Sequence, residues 1–405
     1  MSTRLSGLDG WYDSGDGLLA WFAATSHTHA ATLVAPALEA AGGDHPWPAL
    51  DVRRTGVRVR LSAHTPDAAG LAGTISTAAG GLGLVPSPDG ARTLAVRVRS
   101  GSPDRLTPFW RTVLHHDLRG GGRRLADPLT RRPDLLLASD DEVGPLRDRF
   151  HLDVGHPGPV TEAIASALAT GGTERFACEW YSTIGDPDGN EVDLVPGGPL
   201  DDAPEVADWR ALFGGMTCYL GATAEQAARL AEAAAAHAEE AGLPLLVDVR
   251  PDGVVLDSGK DRWEQPGFLP LAARVQAAAR ALGLTAEPGR LRFTQVGLDA
   301  AEIAAVRAFW GAVLGYDEAA DPRITDLLDP HDLDPVVFLQ DLADEPERRR
   351  QRNRIRLLLR LPADGVAARV DAALAHGGRR LDDRTLVDPE GNELELEALA
   401  PARAL

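Results

Sequence analysis

Asp186-Pro-Asp-Gly-Asn-Glu-Val-Asp-Leu194 returns near the C-terminus as Asp388-Pro-Glu-Gly-Asn-Glu-Leu-Glu-Leu396. In each copy Pro presets its own φ, and Gly and Asn tolerate the left-handed conformations that a tight turn needs. A short alternating strand follows, so Glu191 and Asp193 share one face, as do Glu393 and Glu395. A carboxylate at that point suits a metal or proton-transfer site on a curved sheet. It suits equally the solvated outer face of an edge strand.

Working outward, the repeat extends well beyond the turn. Leu82-Gly-Leu84 recurs as Leu282-Gly-Leu284, and Phe109-Trp-Arg-Thr-Val-Leu-His-His-Asp117 as Phe309-Trp-Gly-Ala-Val-Leu-Gly-Tyr-Asp317. Arg147-Asp-Arg-Phe-His151 pairs with Arg352-Asn-Arg-Ile-Arg356, and Ala167-Leu-Ala-Thr-Gly-Gly172 with Ala373-Leu-Ala-His-Gly-Gly378. Five pairs in one order are a tandem duplication, with its joint in the Pro/Gly/Asp-rich segment Pro196 to Pro204.

Composition bounds the function. The 405 residues suffice for two to four domains, and at 44% hydrophobic the chain is globular in type. No apolar run reaches membrane-span length, and Met1 to Asp9 lacks a signal-peptide pattern. Cys178 and Cys218 form neither a disulfide framework nor a metal knuckle, so a cytoplasmic location is expected. A net charge of −19 argues against nucleic acid and is compatible with neutral or cationic small ligands. Lys260 is the only lysine, which reflects coding composition more than function.

Each half divides again, with expected boundaries at 1–90, 91–200, 201–289 and 290–405. The first section reads as helix (30–41), strand (57–61) and helix (66–82). Its repeat reads as strand (216–220), an alanine-rich helix (222–241), a hairpin (245–249 with 253–257) and a further helix (269–282). These sections resemble pterin-4a-carbinolamine dehydratases on the residues Asp44-His45-Pro46 and Ser62-Ala63-His64. The family's His-His-Pro stretch has Asp44 in place of its first histidine. The second copy has Leu243-Pro244-Leu245 and Ser258-Gly259-Lys260 at the matching places, with no histidine. His45 and His64 are therefore the remaining pocket candidates, and a retired domain is favoured over residual dehydratase activity.

The second section of each half runs strand, helix, strands, twice over: 93–99, 103–113 and 134–138, then 151–154, 159–169 and the repeated turn. With Phe-Trp-x-x-Val-Leu and Asp-Pro-x-Gly-Asn-Glu at this separation, it resembles the vicinal oxygen chelate superfamily of glyoxalases, dioxygenases and bleomycin-binding proteins. The similarity covers 91–195 and 290–399. The expected class is α+β: a tandem duplication of a pterin-dehydratase-like α/β domain followed by a paired βαβββ chelate-type domain.

The resemblance implies ligand positions on particular strands. They fall on Ala95, Ala138, His151 and Asp193 in one copy and on Gln295, Gln340, Arg356 and Glu395 in the other. Neither copy alone is a metal site. Crosswise pairing, as in the glyoxalase-like and fosfomycin-resistance branches, would gather His151, Asp193, Gln295 and Gln340 in one cup. The other would hold Arg356 and Glu395 facing Ala95 and Ala138. The first set suits a single divalent ion such as Zn, Ni, Mn or Fe(II), with His151, Asp193 and Gln295 as the catalytic group.

Other residues rank lower. His115-His116 fits a helix C-terminus, and His27 and His29 have no evident partner. The run Arg348 to Arg354 reads as local ion pairing on a loop, and Trp21, Trp47, Trp180 and Trp209 as core. Two functions stay open. One is a lyase- or isomerase-type enzyme, in which a metal assists chemistry on an oxygenated or heteroaromatic metabolite. The other is metal-free sequestration of a cationic or aromatic natural product. The survival of His151 and Asp193 in one combination favours the enzyme. Expected partners are a small molecule, no nucleic acid and no membrane. The chain is expected to be a monomer with an internal pseudo-dimer, or a homodimer.

Overall fold

A computed structural model describes residues 8–42, 46–140, 144–342 and 345–402. The chain divides into two units: one of 1–92, 198–291 and 399–405, the other of 93–197 and 292–398. Each unit takes segments from both halves of the duplication.

In the first unit the strand Ala49–Arg53 runs antiparallel to Leu246–Arg250, so the two copies share a continuous sheet through Asp51↔Asp248. Two like charges opposite each other would repel. Here each aspartate is neutralised by the other copy's arginine: Arg53 reaches Asp248 at 2.7 Å and Arg250 reaches Asp51. Arg58 adds a contact to Asp51 at 2.6 Å. Burial works against the Asp51 charge, but Arg60, Arg250 and Arg58 hold its carboxyl well below the usual range. The opposite strand faces, with Leu50, Val52, Val247 and Val249, join an apolar core with the helices.

Helix Ala224–Ala241 contributes one long buried face to that core. Thr223 and Gln226 form a reciprocal capping box, and Gly242 ends the helix at φ +66°. Ala227, Leu230, Ala231, Ala234 and Ala238 make the buried stripe at helical spacing.

The strands Trp11–Asp13 and Gly17–Ala23, absent from the expected elements, precede the first helix and form a hairpin. Leu18-Leu-Ala-Trp-Phe-Ala23 is apolar throughout and mostly buried, so it carries no alternation to mark it as a strand. The expected helix over 30–41 is two short helices, His27–Ala31 and Val34–Ala40.

The second unit holds two mixed sheets, and each joins one copy to the other. In the first, Phe150–His156 pairs antiparallel with Phe293–Ala300, with Asp153 opposite Gln295 and His151 opposite Gly297. Glu191–Pro196 flanks one side and Val337–Asp341 the other, both parallel to their neighbours. In the second, Ile355–Pro362 pairs antiparallel with Thr93–Ser100, with Arg356 opposite Arg97 and Leu358 opposite Ala95. Alternation sends Phe150, Leu152, Val154, Val296 and Leu298 into a core shared with Phe109, Trp110, Phe309 and Trp310 of the helices. The other face of each sheet lines a polar cup.

The repeated turns lock these layers together. Gly189 and Gly391 take φ +84° and +88°, where a side chain would be strained. The Asp186 carboxylate accepts N–H bonds from Asp188 (2.8 Å), Asn190 (2.9 Å) and the Trp110 indole (2.8 Å). Asp388 does the same with Glu390, Asn392 and the Trp310 indole at 3.0 Å. The two most visible motifs of the sequence are thus one hydrogen-bonded unit.

The run 348–354 differs from the surface loop expected. Pro346–Arg350 is a short helix, and Arg348 and Arg354 are buried. Arg354 donates to Asn190 Oδ1 at 2.7 Å, in the first copy's turn. Arg149 donates to the Glu390 carbonyl at 3.1 Å, in the second copy's turn. Each copy's turn is held by an arginine of the other.

Trp110→Phe keeps the ring packing but removes one donor from the buried Asp186 carboxylate. Unfolding free energy is expected to fall by about 1–3 kcal/mol, read as a lower urea midpoint with unchanged slope. No shift would mean that the indole bond does not secure the turn.

Candidate functional site

The cup between the first copy's later strands and the second copy's earlier ones is set by register. On its open face Asp153 lies opposite both Asp193 and Gln295, and His151 lies opposite Gly297 one step further along. His151, Asp153 and Asp193 each offer one ligand atom, and these atoms lie within 4.8 Å of one another. Gln295 donates from Nε2 to Asp153 Oδ2 at 2.8 Å. Only the amide end can donate to a carboxylate, which fixes its orientation. Its Oε1 is buried and, among the described residues, has no hydrogen-bond donor.

Gly297 explains how a histidine fits here. A Cβ at residue 297 would stand 2.1 Å from His151 Cε1 and 2.3 Å from Nε2, so the imidazole rests on bare backbone. The Phe338 ring closes the other side edge-on, with centroids 5.5 Å apart. Burial pushes the His151 pKa down to about 4, with Arg147 and Arg348 acting in the same direction and Asp299 against it. The ring is therefore neutral near pH 7 and keeps a lone pair. Its approach of 3.5 Å to Asp153 is a contact of a neutral ring with a carboxylate, not an ion pair.

The carboxylates are organised differently. Burial pushes Asp193 up to about 6, opposed by its bond from Thr183 Oγ1 at 2.5 Å. Arg147 holds Glu191 at 2.6 Å, and Arg348 pairs with Asp299. The expected fourth ligand, Gln340, is not beside the others. It lies opposite Asp299 and donates to it at 2.7 Å, one two-residue step beyond the Gly297 row.

Asp153 is the residue sequence reasoning missed. Alternation puts it on the His151 face, but its counterpart in the repeat is Leu358, so comparison of the copies did not single it out.

The other cup contains Arg356 and Glu395 as expected, 3.4 Å apart. It is not a lone charge pair before two methyl groups. Glu393 accepts from Arg356 at 2.7 Å and from Arg352, and Arg97 pairs with Glu395. Ala95 and Leu358 stand opposite each other on the same face.

Of the remaining candidates, His45 lies outside the described residues and His64 is exposed. His115 caps its helix in the left-handed region at φ +50°. His116 is buried with both ring nitrogens near backbone carbonyls, at 3.0 Å from Leu114 and 3.1 Å from Pro133. Trp21, Trp47 and Trp209 are core, whereas Trp180 is exposed.

Two strand-paired βαβββ copies forming polar cups define the vicinal oxygen chelate architecture. A family model described as the glyoxalase-like domain matches residues 95–195 and 295–397, and the chain belongs to this family. Membership makes it a small-molecule enzyme or binding protein. No curated protein matches the chain.

Among solved structures it is similar to glyoxalase I from Zea mays, with 12% identity and a TM-score of 0.39 over 76% of this chain and 93% of that one. A candidate dioxygenase from Bacillus subtilis subsp. subtilis strain 168 has 9% identity and a TM-score of 0.36, over 76% and 85%. An integron cassette protein from the Vibrio cholerae mobile metagenome has 16% identity and a TM-score of 0.17, over 24% and 88%.

Gly297→Ala forces the His151 ring off its seat. Overpacking of this kind costs about 1–3 kcal/mol, to be measured by thermal or urea unfolding of the metal-free protein. An unchanged midpoint would mean that the ring does not rest on residue 297.

Proposed function

We propose that this protein is a metal-assisted enzyme acting on a small oxygenated or heteroaromatic molecule, of lyase or isomerase type. Its working centre is the cup of His151, Asp153 and Asp193, with Gln295 beside them. The observation that carries this reading is the convergence of one imidazole and two carboxylates within 4.8 Å, on two neighbouring parallel strands of the first copy. One nitrogen with carboxylate and amide oxygens suits a first-row divalent ion such as zinc, nickel, manganese or iron(II). When bound, it would serve as a Lewis acid on a substrate oxygen.

The chain's own residues support this role. His151 is neutral at working pH because its burial disfavours the cation, so no proton has to leave before it donates. Gly297 and Phe338 fix the ring plane. Thr183 ties up one oxygen of Asp193, so the side chain presents the other. The Asp193 charge is costly where it is buried, and a cation in the cup would offset that cost. Gln295 offers its carbonyl oxygen, which accepts no hydrogen bond among the described residues, as a weaker fourth donor. At the rim Arg147, 42% exposed, carries a cation toward solvent where an anionic part of a substrate would pass.

A second reading shares the same observation. The carboxylates of Asp153 and Asp193 beside the Phe338 ring would also hold an organic cation, with no metal and no reaction. Residual pterin-carbinolamine dehydration finds no support at His64, which is exposed.

Elemental analysis of the purified chain separates these readings. About one divalent ion per chain is expected, and His151→Ala should remove both metal and activity. Asp153→Asn should weaken metal uptake by about 10–100-fold or more, since even residues that only support ligands have effects of that size. Circular dichroism confirms the fold of each variant. A protein that takes up none of the four ions would exclude the enzyme reading and leave the cation-binding one.

A further inference from the structure

We propose that the second cup is an anion receptor, which binds the carboxylate of a small organic acid on the side edge of Arg356. The counterparts of the first cup's residues have changed in one electrostatic direction. Gly297 corresponds to Arg97, Asp299 to Arg99 and His151 to Arg356. With Arg352 these make four guanidiniums against Glu393, Glu395 and Asp140 among the described residues.

Arg356 is 6% exposed. It spends Nη1 on Glu393 and Glu395. Its Nε and Nη2 are buried and, among the described residues, have no hydrogen-bond partner. Those two N–H groups point the same way along one guanidinium edge, the fork that takes both oxygens of a carboxylate at once. A buried donor left without an acceptor is costly, so two on one edge mark a place for an absent acceptor. The field agrees: burial lowers the Arg356 pKa, and Arg352 lowers it further despite Glu393 and Glu395. Arg99 is pushed down to about 10 by burial and by Arg356 and Arg352.

The floor selects the rest of the ligand. Ala95 and Leu358 lie on the same face as Arg356, and Leu358 stands where the first cup has Asp153. A guanidinium fork beside apolar side chains suits a carboxylate with a hydrocarbon body better than inorganic phosphate, which is polar on every side. Entry requires the rim to part. The Arg97–Glu395 pair, with side chains 29% and 15% exposed, is its movable part. This proposal is independent of metal binding in the first cup.

Calorimetric titration of the full chain at low salt with benzoate, hexanoate and inorganic phosphate tests it. Saturable binding of the two organic acids is expected, with phosphate weaker. Arg356→Met, which keeps the bulk but removes the fork, should weaken binding by about tenfold or more, as expected for a lost charge-assisted bond. Ala138 lies opposite Arg99 on the neighbouring strand, on the cup face, so Ala138→Trp fills the cup wall, leaves every charge in place and should also abolish binding. It decides the matter if Arg356→Met fails to fold. Absence of organic-acid binding, binding of phosphate alone, or binding retained in either folded variant would overturn the proposal.

Discussion

Both cups depend on a register. Phe150–His156 meets Phe293–Ala300 antiparallel, and side chains alternate between core and cup along both strands. A slip of one residue would turn Phe150, Leu152 and Val154 into the polar cup and His151 and Asp153 into the core. The apolar faces therefore fix the polar ones: burying three large side chains, at roughly 2–3 kcal/mol each, leaves the histidine only one place to lie. That place exists because residue 297 has no side chain. The three residues of the metal-type cluster all belong to the first copy, and pairing between copies adds the bare backbone at residue 297 and the Gln295 amide.

Duplication gave the chain two such frameworks, and their frames remain alike while their linings differ. Both retain the Trp–Asp bond, the Gly at positive φ and the exchanged arginine. On the open faces, imidazole and carboxylates line one cup and guanidiniums line the other. Structural positions tolerate little change because each loss strands a buried polar group. Cup positions are constrained only by what they bind.

Much of the architecture was legible because it is periodic or punctuated. The repeated turn, the Phe-Trp helices and the alanine-rich helix all carry local signals, and each lies within a few residues of where the sequence puts it. The strand Gly17–Ala23 was not legible, since an unbroken apolar run hides its alternation. In the candidate site, His151, Asp193 and Gln295 could be grouped from the crosswise pairing that the family resemblance implies. Asp153 could not, because the repeat is what marks the other positions and the counterpart of Asp153 there is a leucine. Gln340 lies one two-residue step beyond the Gly297 row, and that step sets it beside Asp299, already held by Arg348. The burial of Arg348 and Arg354 was hidden for a related reason. A cluster of arginines in sequence looks solvated, and only long-range pairing reveals their buried acceptors.

The same pairing sets a timetable for synthesis. When Phe150–His156 leaves the ribosome, its partner strand still lies about 140 residues ahead, which at ordinary elongation rates is roughly 7–30 s. For that interval the nascent chain carries an open strand edge whose inner face is apolar, the arrangement that invites pairing with a neighbouring chain. Another polypeptide at the same stage offers an equivalent edge. The duplication keeps the correct partner on the same molecule, so its late arrival is an intramolecular event that a rival chain must outpace.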